Sequence, residues 1–330
     1  LEGIAFKMGM AQRALIFGVT GQDGALLAQH LLTQGYELHG TSRRKEAVAG
    51  NLQSLNIEAK VQLHVVDPTD RRRTADLIAE VRPSEIYNLA GQSSVGTSFQ
   101  QPGETIDSHI SSTVAILEAI RIQSPESRFF HASSGEIFGE TGPDGADEGT
   151  AIAPCNPYGA AKASATLIVK NYRDVFGLFA CSGFLFNHES LLRPVSFVAQ
   201  RVAHGAAAIK LRRAHELRLG NLEIIRDWGW APDYVGCMAR MLQHDQPLDT
   251  VIATGVATSL QSYVERVFSR LGLDWKAYVV HDNTLLRPTD VKLSVGNPAA
   301  AAAHLGWTAQ VRMPEVADRL ADAALARAGG

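Results

Sequence analysis

Apolar runs of five or six residues recur through the first half of the chain, and stretches with helical spacing follow them. Ala14-Leu15-Ile16-Phe17-Gly18-Val19 is the first such run, and positions 25–34 carry the helical pattern behind it. A short run that is apolar at nearly every position fits a strand buried on both faces. Tyr36-Glu37-Leu38-His39-Gly40-Thr41, Val61-Gln62-Leu63-His64-Val65-Val66, Glu85-Ile86-Tyr87-Asn88-Leu89-Ala90 and Arg128-Phe129-Phe130-His131-Ala132-Ser133 predict four more strands. Strand and helix alternate from Arg13 to about Phe184, the pattern of successive βαβ units and a parallel sheet. After Asn187 the pattern turns irregular. Helical segments at 194–206 and 259–271 alternate with strand fragments, and the Ala-rich tracts 299–303 and 321–328 read as helix. Val251-Ile252-Ala253-Thr254-Gly255 reads as a buried strand that returns to the first sheet.

The turn after the first strand refines the fold class. Gly18-Val19-Thr20-Gly21-Gln22-Asp23-Gly24 places three glycines between a strand and a helix. The spacing differs by one residue from the usual dinucleotide fingerprint, but it meets the same demand. The turn must be tight, the backbone must approach a pyrophosphate, and the helix N-terminus must point at it. The fold expected is therefore α/β, a Rossmann-type doubly wound parallel sheet with a smaller α/β substrate-binding domain. Residues 13–185 form the cofactor domain in this reading and 186–330 mainly the substrate domain.

The second strand ends in Ser42-Arg43-Arg44, where an NAD site usually carries an acid. Arginine suits a ribose 2′-phosphate, because guanidinium matches phosphate in a fork geometry. NADP is thus the cofactor expected, with Arg43 on its phosphate. Asp67, at the end of the third strand, is placed to hydrogen-bond adenine. Leu89, Ala90 and Gln92 follow the fourth strand toward the cofactor, and Ser93 toward a substrate, since strand carboxyl ends line the crevice of such sheets.

Two clusters carry the candidate chemistry. Tyr158 and Lys162 lie four residues apart in Asn156-Pro157-Tyr158-Gly159-Ala160-Ala161-Lys162, hence on one helical face. A phenol with a pKa near ~10 is a poor base at neutral pH, and a nearby cation is expected to lower that value. Tyr158 would then exchange a proton with a substrate hydroxyl while hydride moves to or from a nicotinamide. Upstream, Ser133-Ser134-Gly135-Glu136 adds a hydroxyl and a carboxylate. Simple alcohol oxidation needs no such carboxylate, so Glu136 suggests a second proton abstraction, at a carbon beside a ketone. The acidic, Gly- and Pro-rich loop 140–156 joins the two clusters and is expected to cover the site.

Composition narrows the alternatives. The 330 residues are 45% hydrophobic, enough for a sizeable core, and 31 basic against 34 acidic residues give a formal charge of -3. That balance implies no polyanion-binding surface; Arg71-Arg72-Arg73 and Arg212-Arg213 read as solvated faces. The 3 cysteines, Cys155, Cys181 and Cys237, form no Cys-x-x-Cys pair and suit reduced thiols in the cytoplasm. The 11 histidines do not gather at metal-ligand spacing, and His188 beside Glu189 reads as structural, so no metal is expected. No run reaches transmembrane length. Residues 1–12 read as added sequence ahead of a natural start at Met8 or Met10.

Taken together these residues resemble the extended short-chain dehydrogenase/reductase family, and within it the GDP-mannose 4,6-dehydratase family. The resemblance runs from Ala14 to about Val316. It rests on the glycine turn, Ser42-Arg43-Arg44, Phe186-Asn187-His188-Glu189-Ser190, Leu219-Gly220-Asn221-Leu222, Arg226-Asp227-Trp228-Gly229 and Leu286-Arg287-Pro288-Thr289-Asp290-Val291. It implies an internal redox cycle on a GDP-sugar: oxidation at C4, loss of water across C5 and C6, and reduction at C6. Tyr158 would accept the 4-hydroxyl proton, Glu136 would remove the C5 proton, Ser134 would hydrogen-bond the reacting oxygen, and Lys162 would support Tyr158. Asn187, Arg226 and Arg287 would hold the diphosphate, with Arg201 standing where the family has lysine and Asn221 as a further substrate contact. A homodimer or homotetramer is implied, although the loop after Arg44 looks short.

The chain also departs from the family pattern. Gly135 replaces a residue with a side chain and is expected to loosen its turn, and Leu191-Leu192-Arg193 stands where the family tends to Pro-Arg-Arg. A nucleotide-sugar 4-reductase or epimerase on the same fold is the alternative reading. A non-catalytic NADP-sensing regulator is a third, disfavoured by the presence of both Tyr158 and Lys162.

Overall fold

A computed structural model describes residues 12–43 and 50–329. Seven strands make the central sheet: β1 (Arg13–Phe17), β2 (Glu37–Ser42), β3 (Val61–Val65), β4 (Glu85–Asn88), β5 (Arg128–Ala132), β6 (Ala180–Leu185) and β7 (Thr250–Ile252). Their spatial order is β7-β6-β5-β4-β1-β2-β3, with every neighbouring pair parallel. The chain starts in the middle, builds outward to β3, then crosses back to β4 on the other side of β1. At that reversal the loops after β1 and β4 part, which opens a crevice at the carboxyl edge.

The unbroken apolar runs follow from burial on both faces. Ala14 and Ile16 join a core under the helices Gln22–Thr33 and Ala231–Gln243. Leu15 and Phe17 join a second core under Arg71–Val81, Ser112–Gln123 and Pro157–Phe176. All four of these β1 residues are 0% exposed, so no polar alternation is tolerated. Arg71 to Arg73 open their helix with solvent-facing side chains, as the sequence suggests.

A separate core lies in the second half, where the helices Val198–Lys210, Leu260–Arg270 and Met313–Gly329 pack around Trp228 and Tyr263. A three-stranded sheet edges it, with Ile225–Asp227 between Ala257–Ser259 and Leu293–Ser294. The second half also serves the first: Thr250–Ile252 pairs with β6, and Ala231–Gln243 covers the main sheet. Among the described residues no helix is long and apolar enough to cross a membrane. No three His, Cys, Asp or Glu residues among them gather to hold a metal.

The loop 140–156 behaves differently from expectation. Instead of covering the crevice it straps the second half to the sheet. Both Glu140 carboxylate oxygens accept from backbone amides, of Lys292 and Leu293, at 2.8 Å. Glu148 accepts from the Val251 amide at 2.7 Å, and Ala146 bridges to Gly296. Glu140 and Glu148 are thus partners for backbone amides at strand edges, and the loop is a strap rather than a cover.

Candidate active site

The crevice widens into a cavity of about 690 Å³ walled by both halves of the chain. Asp23, Leu89, Ala90, Ser93, Ser134, Glu136, Tyr158, Lys162, Asn187, Arg201, Arg226 and Arg287 all line it. Residues far apart in sequence therefore meet in one space, because the strand ends and the second core face each other across it.

At one end stands the glycine turn. Gly18 has φ +84°, and a Cβ there would lie 3.0 Å from the Ala90 backbone. A Cβ on Gly24 would sit 2.3 Å from the Gly18 carbonyl oxygen. Both positions need glycine for the helix Gln22–Thr33 to press against β1 and β4. Gly21 is the N-cap of that helix and offers no capping side chain. The first helical amides are thus available to an anion, and the pyrophosphate of a dinucleotide fits this cradle.

Gln22 and Asp23, expected at the cofactor, also have an internal task. Gln22 Nε2 donates to Asp23 Oδ1 at 2.9 Å, and Gln22 Oε1 accepts from the Ser190 hydroxyl at 2.9 Å. Asp23 Oδ2 meets His188 Nε2 at 3.0 Å. Burial pushes the Asp23 carboxyl up, but the His188 ring, with help from Arg193 and Gln22, outweighs burial and holds it at about 2. Burial works against charge on His188 as well, and Asp23 overcomes it to raise the imidazole. The pair locks the Asn187–Ser190 segment against the cofactor helix.

The candidate catalytic cluster is built where β5 ends. The Ser134 hydroxyl accepts from the Glu136 amide at 3.2 Å and lies close enough to the Tyr158 phenol to favour its charged form. Glu136 Oε2 accepts from Asn156 Nδ2 at 2.8 Å. Asn156 is in turn the N-cap of the helix Pro157–Phe176, its Oδ1 accepting from the Gly159 amide at 2.8 Å. Pro157 at the first helical position and Gly177 in the left-handed conformation past the end complete that helix. One residue thus starts the helix bearing Tyr158 and holds the carboxylate beside it.

The expected effect of Lys162 on Tyr158 does not appear in this structure. The Lys162 ammonium lies 5.8 Å from the Tyr158 ring centroid and donates to the Ala132 carbonyl at 2.6 Å. Burial dominates the phenol and pushes it up to about 12, with the Ser134 hydroxyl opposing and the Glu136 charge adding. Burial likewise brings Lys162 down to about 7, against the pull of Asp23. Both groups resist their charged forms because both are buried where they face the cavity.

The opposite end of the cavity is cationic. Arg226 Nη2 donates to Asp290 at 3.0 Å, and Arg287 stands 3.7 Å from the same carboxylate. Burial lowers the Arg226 guanidinium, while Glu136 and Asp290 work against that shift. Arg193 and Arg201 reach the cavity too, and the Nε of each is buried without a hydrogen-bond partner. Asp290 faces Arg226 and Arg287, Glu189 lies 3.9 Å from Arg193, and the arginines still outnumber these two carboxylates, so an anionic ligand suits the space beside Arg226, Arg287 and Arg201.

Not every expected residue lies on the walls. Asn221 is spent on an Asx turn, accepting from the Glu223 amide at 2.9 Å, because its side chain is nearer its own loop than the cavity. Gln92 is used within its loop, donating to the Ser94 carbonyl at 2.8 Å and to the Thr105 hydroxyl at 3.3 Å. Asp67 Oδ1 holds a turn by accepting from the Thr69 amide at 2.9 Å. Arg43 is exposed at the end of β2, and Arg44 lies outside the described residues. Gly135 does not loosen its turn: a Cβ there would meet the Phe186 ring at 2.8 Å, so the ring fills the space the missing side chain leaves.

Sequence reasoning missed several walls. Arg193 was noted only as part of a departure, yet its guanidinium sits over the Phe197 ring at 3.8 Å inside the cavity. His109 and the short helix Val95–Gln100 line it as well. The dipeptide Ser94-Val95, a helix N-cap before a turn of small residues, was the available signal.

Comparison with known proteins agrees with this geometry. A family model described as GDP-mannose 4,6 dehydratase matches residues 15–320. GDP-mannose 4,6 dehydratase 2 of Arabidopsis thaliana is 39% identical over 322 residues, covering 94% of this chain and 86% of that protein. GDP-mannose 4,6-dehydratase of Sinorhizobium fredii is 40% identical over 331 residues, covering 92% and 94%. Among solved structures, RMD from Pseudomonas aeruginosa complexed with NADPH superposes with a TM-score of 0.79 at 20% identity, covering 96% of this chain and 99% of that one. That last likeness establishes the fold.

Proposed function

The chain belongs to the GDP-mannose 4,6-dehydratase family, and from that premise we propose how its cavity works. The protein is a hydro-lyase that dehydrates GDP-mannose to the 4-keto-6-deoxy sugar nucleotide. The observation that carries the residue assignment is Glu136 on the cavity wall together with Tyr158 and Ser134. A redox site without elimination has no task for that carboxylate.

A nicotinamide dinucleotide bound at the glycine turn supplies hydride acceptance from C4 and its return to C6. Gly18, Gly21 and Gly24 shape its pyrophosphate cradle. Arg43, exposed at the end of β2, suits a 2′-phosphate, so NADP is the cofactor we assign. Lys162 and Tyr158 stand at its reactive end.

Tyr158 accepts the proton of the sugar 4-hydroxyl as a phenolate, a form that burial alone disfavours and that the positive charge of an oxidised nicotinamide beside it would favour; Ser134 hydrogen-bonds the same oxygen as it becomes a ketone. The ketone acidifies C5, and Glu136 takes that proton. Glu136, now a carboxylic acid, protonates the C6 hydroxyl as it leaves as water. The proton kept at Tyr158 balances the one finally needed at C5. Two protons are taken and two are given back, so no external acid is consumed. Arg226, Arg287 and Arg201, with Asn187, hold the diphosphate at the cationic end. The two parts, 13–185 for the cofactor and 186–330 mainly for the nucleotide sugar, meet at this cavity.

We also propose a homo-oligomer. Leu167 and Val175 on the Pro157–Phe176 helix are 53% and 63% exposed, and Ile122 on the neighbouring helix is 61% exposed. A second copy would cover this apolar face. The free thiols of Cys155, Cys181 and Cys237 suit a cytoplasmic enzyme.

The test is direct. Purified protein with GDP-mannose and catalytic NADP+ should yield a product lighter by one water, without accumulation of NADPH. An unchanged sugar mass with cofactor bound would overturn the assignment.

A further inference from the structure

Polar side chains on the inner side of the catalytic helix remain without a task in that mechanism. Asn88 on β4 is in register with His131 on β5, and His131 with Ser182 on β6. Side chains at one register of a parallel sheet leave the same face. The three therefore form a row, on the face covered by the helices Ser112–Gln123 and Pro157–Phe176. Asn88 and His131 are 1% exposed and Ser182 is 0% exposed. His109 stands at the end of this row. Thr113, one turn after it, accepts from Asn88 Nδ2 at 3.3 Å, and the His109 ring meets Tyr158 edge-on with centroids 5.5 Å apart.

Among the described residues, Asn88 Oδ1, both ring nitrogens of His131, Ser182 Oγ and His109 Nδ1 are sealed from solvent and have no partner. Buried polar atoms are almost always paired, and ordered water is the usual partner when the protein supplies none. His109 Nε2 lies 2.8 Å from the Gln92 carbonyl, so that nitrogen carries the proton and Nδ1 is an acceptor. Lys162 spends one of its N–H groups on the carbonyl of Ala132, the residue after His131.

We propose that Asn88, His131, Ser182 and His109 enclose ordered water beneath the catalytic helix, and that this water, held by the two imidazoles, accepts from Lys162 and keeps it an ammonium. His131 and His109 are then positioning residues, acting on the reaction through Lys162. This rests on the dehydratase reading only in that Lys162 serves Tyr158.

Charge in the cluster is consistent with that role. Facing Lys162 are Asp23 from the helix Gln22–Thr33, His109 from the turn 107–111, His131 from β5 and Tyr158 one turn back on its own helix. Burial drives both imidazoles down, His109 to about 2, and the Lys162 charge presses them further. They are neutral in the working range and serve as hydrogen-bond partners. Burial leaves Lys162 itself at about 7, so the loss of an acceptor changes its charge near neutrality.

The experiment compares pH profiles of turnover on GDP-mannose for the native protein, His131→Leu and His131→Gln. Activity that needs the ammonium falls as pH rises through its pKa. Without the acceptor that pKa drops, so in His131→Leu the alkaline limb should move down by about one unit, a loss of about tenfold in kcat above neutrality with KM little changed. His131→Gln keeps a donor and an acceptor and should restore the limb. An unmoved limb in His131→Leu overturns the proposal. A high-resolution crystal structure of the native protein with NADP+ decides independently of folding in the variants. Water within hydrogen-bond distance of His131 and Asn88 supports the proposal, and a dry row overturns it. Should the native protein leave GDP-mannose unchanged, the dehydratase reading fails while the density still reports on the water site.

Discussion

Among the described residues the Glu136 carboxylate has one hydrogen-bond partner, Asn156, which limits what a substitution there disturbs. Glu136→Gln keeps the shape and removes the base. The expected outcome is a loss of at least about 100-fold in kcat, ~2.7 kcal/mol of barrier, with GDP-mannose and cofactor binding retained by calorimetry. Deuterium uptake at C5 in heavy water should disappear with it, and uptake at the native rate would remove Glu136 from the role. A second residue-scale prediction concerns Asp23 and His188. Asp23 falls from an ordinary 3.8 to about 2, so its contribution is complete above 3.8 and lost as pH drops through 2. His188 is raised above 6.5, so its contribution is complete below 6.5 and lost as pH climbs through the raised value. The pair is therefore at full strength between these ordinary values. Asp23→Asn should lower the melting temperature most in that window, with the difference from the native protein shrinking below pH 3; a pH-independent difference would refute the linkage. Residue type and spacing singled out Tyr158, Lys162 and Glu136 in the sequence, and the structure brings all three to one cavity wall. That burial rather than Lys162 dominates the phenol was not legible, since spacing says nothing about solvent.

At the scale of elements, the catalytic helix owes its start to a residue with two partners. Asn156 Oδ1 caps the Gly159 amide while Asn156 Nδ2 holds Glu136. Asn156→Ala should cost ~1 kcal/mol of stability through the lost cap, read by denaturant titration, together with a fall in kcat. Asn156→Asp separates the two tasks. It keeps a capping acceptor and sets a second carboxylate against Glu136, so stability should stay near native while turnover drops; equal losses in both would contradict the division. The strands could be read from their apolar runs because both sheet faces are buried. Val95–Gln100 could not, since Gly96, Thr97 and Ser98 carry little apolar period and the helix is positioned by its neighbours. The loop 140–156 read as a cover because the backbone partners of Glu140 and Glu148, in Lys292, Leu293 and Val251, lie more than a hundred residues away.

At the scale of the whole molecule, the apolar face of Leu167 and Val175 is one that a single chain leaves uncovered. Leu167→Glu with Val175→Glu should shift the protein to a monomer in sedimentation without loss of helix signal; a native protein already monomeric at high concentration would overturn the proposed association. The seven-stranded sheet draws its last strand, Thr250–Ile252, from the half of the chain that also supplies the arginines. The cavity is for that reason a property of the assembled chain. By itself the sequence determined the parallel α/β class, the glycine turn and the Tyr158–Lys162 helix, since these depend on local period, backbone freedom and side-chain type. Only the tertiary structure decided that Asn221 and Gln92 turn to their own loops and that Arg193 and His109 enter the cavity. It alone aligned Asn88, His131 and Ser182 in one buried row, because distance and exclusion of water arise between segments that the linear order keeps apart.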